Sequence, residues 1–199
     1  MRVVSAVILA ALTMTAMPAI PGTRTAQADG IRQVQDPRDR FTINIPVTWE
    51  VRTSAREPSV EAISPAPETG LPDSLQVITR DIVMSLSPEA CIAKAEWLMH
   101  VARVDFKTIE KHPETIAGLQ AFTHEYTWRT RSGVERRSYQ VCLALSHRVF
   151  VLIGSTTDIP ASARAHLEAI GRIIETFRPK SVPDDGTPLP QRPRGSRDR

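Results

Sequence analysis

The nine glycines of this 199-residue chain are scattered singly, so no glycine-rich loop is present to wrap a phosphate in backbone amides. A G-x-S-x-G elbow is also missing, and with it the usual seat of a nucleophilic serine. The five histidines, His100, His112, His124, His147 and His166, form neither an H-x-x-x-H pair nor an H-E-x-x-H motif, so no helix face carries two imidazole ligands. Aromatic residues make up only 5% of the chain and cysteines number two. With no cofactor motif and no base beside a nucleophile, an enzyme is not expected, and neither is a bound cofactor.

Only one long apolar run occurs, and it lies at the start. Arg2 precedes a run from Val3 to about Met17; Pro18 and Pro21 follow, then the small-residue exit Ala26-Gln27-Ala28. That is the pattern of a signal peptide over residues 1–28, with cleavage expected before Asp29, export to a periplasmic or extracellular location, and no transmembrane segment in what remains. No cysteine near the exit offers a lipid anchor. Removing Arg2 and Arg24 lowers the formal net charge from +3 to +1, too little to argue for nucleic acid as a partner.

What is there reads as one α+β domain. Residues 29–40 are polar and form a lead-in segment. Phe41, Ile43 and Ile45 alternate with Thr42 and Asn44, the period of a strand with one buried face, and Pro46 ends it. The chain re-enters a strand at Trp49 and Val51; "SVEAIS" and "SLQVITRDIV" are further strands. Ser87 and Pro88 then cap an amphipathic helix whose stripe is Ile92, Ala95, Met99 and Ala102. From Gly118 a meander of three strands turns at Ser132-Gly133 and at Ser146-His147. The last helix, from about Ala161 to Phe177, carries the stripe Ala163, Leu167, Ile170, Ile174 and Phe177. Arg178 to Arg199 holds five of the sixteen prolines without apolar periodicity, so residues 180–199 are expected to be a disordered Pro/Arg-rich tail. Strands, a helix, a meander and a terminal helix imply an antiparallel sheet with helices packed on it.

The segment "FTINIPVTWEV", with its Pro-x-x-Trp turn, resembles the entry of PsbP-like proteins. "GLQAFTHEYTW" through "VFVLIGST" is similar to that family's strand after a glycine, its hairpin and its long strand pair, and "IIETFRP" resembles its last helix. The likeness covers Phe41 to Pro179, residues 41–179. The family comprises PsbP, DcrB and LpqN-type exported proteins. The resemblance implies a central antiparallel sheet flanked by helices, an α/β/α sandwich, and a non-catalytic accessory or binding subunit of a cell-envelope or membrane-associated complex. A monomer is expected.

Several residues remain as candidates, each with a plainer reading. Cys91 and Cys142 are either a disulfide or two small core residues, and Cys91 near a helix start could have a lowered pKa. Trp49 either covers the end of the core or offers a ligand platform. Arg129, Arg131, Arg136 and Arg137 are a solvated hairpin tip or a site for an anionic partner. His100 and His112, with Asp105 and Glu110, are weak metal ligands on a helix end and the loop beyond it. His124, on one strand face with Phe122, Tyr126 and Trp128, is a core-edge residue or a ligand, and that row is a helix-docking surface or a groove. The competing functions are a metal- or small-ligand-binding envelope protein and, below it, an envelope hydrolase or thiol redox enzyme.

Overall fold

The computed structural model describes residues 30–68, 70–82, 85–102, 104–145, 147–159 and 161–180; the expected signal peptide and the tail beyond Lys180 lie outside them. Ten strands and two helices are described: β1 Ile31–Gln35, β2 Phe41–Pro46, β3 Glu50–Thr53, β4 Val60–Ile63, β5 Ser74–Asp81, α1 Pro88–Ala102, β6 Val104–Ile116, β7 Leu119–Arg129, β8 Glu135–Leu145, β9 Arg148–Thr157, α2 Ala163–Glu175 and β10 Arg178–Pro179. Strands β3-β4-β5-β9-β8-β7-β6 form an antiparallel seven-stranded sheet, and β1-β2-β10 a smaller one.

Period-two alternation sorts the large sheet's side chains between two cores. On one face Leu75, Val77, Val141, Leu143, Phe150 and Leu152 pack with Leu167, Ile170, Ile173 and Ile174 of α2 and with Phe41, Ile43 and Ile45 of β2. The rings of Phe41, Phe150 and Phe177 meet at the centre of that core, with centroids 5.1–6.1 Å apart. On the other face Cys142 and Val149 pack with Cys91 and Ile92 of α1. The result is the expected α+β architecture, a central antiparallel sheet with a helix on each side. Gly154 lets α2 approach closely: a Cβ there would lie 2.2 Å from Cγ2 of Ile170.

The local signals act as anticipated in several places. The Ser87 hydroxyl accepts the Ala90 amide at 3.1 Å and caps α1, with Pro88 as its first residue. Gly133, at φ +87°, closes the β7–β8 turn. Two expectations are corrected. Residues 29–40 are not merely a lead-in, because Ile31–Gln35 pairs along β2. The stretch after α1 is not a loop but the 13-residue β6, paired with β7 through two register shifts. Its Pro113 is tolerated because β6 is an edge strand, where a missing N–H breaks no inner ladder.

Candidate functional site

The face beneath α1 carries a cluster of buried polar groups, His124, Arg136, Ser138, Gln140 and Ser155. On β8, Arg136, Ser138 and Gln140 share the face of Cys142; on β7, His124, Tyr126 and Trp128 lie opposite Gln140, Ser138 and Arg136. His124 is fully buried, and its Nε2 lies 3.0 Å from Thr108 Oγ1. Because that hydroxyl donates to Glu96 at 2.9 Å, its oxygen accepts the Nε2–H of His124, which leaves Nδ1 as a bare acceptor. Nδ1 is buried with no hydrogen-bond partner among the described residues. Burial pushes the imidazole down to about 4, with Glu96 opposing and Lys111 and His100 reinforcing, so the ring is neutral at pH 7. It packs in an aromatic row with Phe106 and Tyr126, and His100 lies edge-on to the same Phe106. Helix α1 thus docks on part of this face, through His100 against Phe106 and through Cys91 and Ile92 beside Phe122.

The four arginines expected at one hairpin tip separate. Arg129 and Arg131 are exposed, and Arg129 lies 3.5 Å from Asp105. Arg137 is half-buried on the α2 side, where Glu125 accepts its hydrogen bonds. Arg136 is buried, so it is not part of a solvated tip: parity along β8 turns it under α1 with Ser138. Trp49 is also corrected as a ligand platform. Only 9% exposed, it joins the α2-side core, and its amide donates to Pro46 O at 3.0 Å to close the turn after β2.

Cys91 and Cys142 form a disulfide across 51 residues, fastening the first turn of α1 to the middle of the sheet. The bond leaves neither sulfur as a free thiol for redox chemistry. His100 sits at the end of α1 by Phe106, whereas His112 lies six residues further along β6, roughly 20 Å at about 3.3 Å per residue. The nearest carboxylate oxygen to His112 is on Glu110, at 3.6 Å. No three His, Cys, Asp or Glu side chains gather as a metal site among the described residues.

The structure brings out features that the sequence reading passed over. Trp97, Leu98 and Val101 of α1 are 66%, 51% and 75% exposed. Their i, i+3 and i, i+4 spacing makes one patch, and each lies off the Ile92-Ala95-Met99 stripe, which is the signal that could have revealed it. A groove of about 600 Å³ between α2 and the sheet is lined by Glu125, Arg137, Tyr139, Glu168, Arg172 and Glu175, where the carboxylates outnumber the guanidiniums by one. There the Tyr139 hydroxyl donates to Glu114 at 2.7 Å, and burial first, then Glu114, raises its pKa far above the usual phenol value. A smaller cavity of about 200 Å³ opens between α1 and the sheet beside Arg136. No helix among the described residues is long and apolar enough to cross a membrane.

Two layers of helix on a central antiparallel sheet, with a three-stranded side sheet, define the PsbP-like fold. Solved structures bear this out. The chain is similar to cyanobacterial PsbP (CyanoP) from Synechocystis sp. PCC 6803, with 12% identity and a TM-score of 0.59 over 80% of this chain and 99% of that one. It is similar to LpqN of Mycobacterium tuberculosis, described as involved in cell envelope biogenesis, with 16% identity and a TM-score of 0.56 over 74% and 89% of the two chains. The Ran-binding protein Mog1p of Saccharomyces cerevisiae follows, with 14% identity and a TM-score of 0.54 over 77% and 97%. No protein-family model matches the chain, and no curated protein does.

Proposed function

We propose that this protein is an exported, non-catalytic binding subunit of a cell-envelope protein assembly, and that it meets its partner through the last two turns of α1. The observation that carries this reading is the Trp97-Leu98-Val101 patch, three large apolar side chains held in water on a helix fastened to the sheet by a disulfide. Arg129, which pairs with Val104 just past the end of α1 and faces Asp105 at 3.5 Å, and the exposed Arg131 two residues on add basic groups beyond that end of the helix. An apolar knob rimmed by carboxylates on an envelope protein is the complementary surface. Export is supported by the signal-like residues 1–28, by a disulfide that suits an oxidising compartment, and by the envelope role described for LpqN.

The test is a photo-crosslinking residue placed at Trp97, and separately at the exposed Arg164 of α2, in the full-length precursor expressed in its own host. A discrete adduct with one envelope protein from position 97, absent from position 164, is expected. Identical adducts from both positions, or no adduct from position 97, would overturn the reading.

A further inference from the structure

The cavity under α1 combines a buried cation with apolar walls. Arg136 is 5% exposed, and among the described residues it has no carboxylate within salt-bridge distance. Its guanidinium donates only to neutral oxygens: Nη1 to Pro72 O at 3.1 Å, Nη2 to Ser155 O at 2.9 Å and, more weakly, to Ser74 Oγ at 3.4 Å. Nε donates to nothing among the described residues. Burial lowers the guanidinium's affinity for its proton, and Asp73 opposes this from a distance while its own carboxylate is engaged by His166 at 2.7 Å. An arginine remains charged in such a place, so the molecule holds a desolvated positive charge that its neighbours do not neutralise.

The walls around that charge are particular. Met99 of α1, Tyr126, Trp128 and Ile153 supply the apolar part. Ser138 and Ser155 share a 2.8 Å hydroxyl contact, and the Trp128 indole donates to Ser138 at 3.0 Å. One row along the same face, Gln140 is 1% exposed, and neither its oxygen nor its nitrogen has a hydrogen-bond partner among the described residues. A volume of about 200 Å³ admits one small ring or branched chain with a carboxylate, since an apolar cavity of roughly 150 Å³ holds benzene.

We infer that this cavity is a binding site for a small monocarboxylate with a compact apolar body, its carboxylate seated on Arg136 and its body against Met99, Tyr126 and Trp128. The site is separate from the exposed Trp97 patch and does not depend on the partner reading. Carboxylate and guanidinium would neutralise each other in a water-poor setting, where charge-assisted hydrogen bonds are strong. The apolar walls would discriminate against acetate or inorganic anions.

The experiment uses the chain from Asp29 to Arg199, oxidised, at fixed ionic strength and pH 7. Benzoate and 3-methylbutanoate are titrated by calorimetry and by indole N–H shifts, with benzamide as the neutral match for benzoate. Saturable one-to-one binding of at least one acid is expected, with the Trp128 indole moving and those of Trp49 and Trp97 still. Benzamide should bind roughly tenfold or more weakly than benzoate, as a lost charge-assisted bond dictates. Arg136→Gln should abolish binding, whereas Arg164→Gln should leave it unchanged. Should Arg136→Gln fail to fold, Met99→Trp, which fills the cavity from the half-buried helix side, should abolish binding with the fold intact. Neither acid binding, benzamide matching benzoate, or unchanged affinity in the folded Arg136 or Met99 variant would each overturn the inference.

Discussion

Arg40 and Asp36 meet edge to edge: Nε donates to Oδ2 and Nη2 to Oδ1, each at 2.8 Å, with 5% and 0% of the two side chains exposed. The remaining arm of Arg40 reaches Glu57 at 3.0 Å, and Glu57 in turn accepts the Thr79 amide at 2.9 Å. Burial disfavours a charged Asp36, but the side-chain and backbone hydrogen bonds of Arg40 more than offset this and hold its pKa below the ordinary value. Replacing Arg40 by Met would leave buried carboxylates unpaired, a loss of about 3–5 kcal/mol. Urea unfolding of Arg40→Met beside the parent chain checks this. A change below about 1 kcal/mol, the size of an exposed pair, would show that the network contributes little.

His124 sets a pH dependence. Its folded pKa of about 4 lies below the unfolded value of about 6.5, so the unfolded chain takes up the proton first as pH falls. The stability it contributes is complete above pH 6.5 and is lost progressively between about 6.5 and 4, a fall of about 3 kcal/mol. Unfolding free energies measured from pH 7.5 to 4 check the slope, and in His124→Gln the slope across that window should flatten. An imidazole titrating near 6.5 in the folded chain would refute the account.

The Cys91–Cys142 bond closes a loop with a separation of 51 residues. On the chain-entropy model its removal costs about 4 kcal/mol. The double variant Cys91→Ala, Cys142→Ala should lose about that much in urea melts, with amides of α1 exchanging before those of β8. Equal exchange throughout both elements would mean that the bond does not specifically hold the helix.

Gly154 and Ile170 define the closest approach of α2 to the sheet. Gly154→Ala forces the isoleucine or the helix to shift, a penalty of about 1–3 kcal/mol. Adding Ile170→Ala should make the alanine at position 154 nearly free, so a double-mutant cycle should give strong coupling. Additive effects would mean that the helix moves away without resistance.

The legible parts of this fold are those where one face is strongly apolar. Phe41-Ile43-Ile45, the capped start of α1 and the α2 stripe lie in the sequence as they lie in space. β1 buries only Val34 of its five residues, so it carries no alternation to read. β6 is obscured by its register shifts, by Pro113 and by a two-residue turn at Ala117-Gly118, both at positive φ, where Asn-Gly is the commoner signal. Arg136 and Arg137 look alike on a hairpin, yet β-strand parity sends them to opposite faces. Ser138, Gln140 and Cys142 share parity with Arg136, so that part was present in the sequence. The sequence offered a Cys91–Cys142 bond but left it open against two core thiols, because the choice depends on which helix lies over which strand.

The two outer strands of the large sheet have a consequence for association. β3 is four residues long with Glu50 and Arg52 on it, and β6 carries an imino acid at position 113, two breaks in register and lysines at 107 and 111. Neither rim offers an unbroken ladder of main-chain donors and acceptors for a foreign strand to zip onto. Lateral growth from this sheet into fibrils or strand-swapped pairs is thereby discouraged, and a visitor to either of its rims must grip side chains rather than main chain.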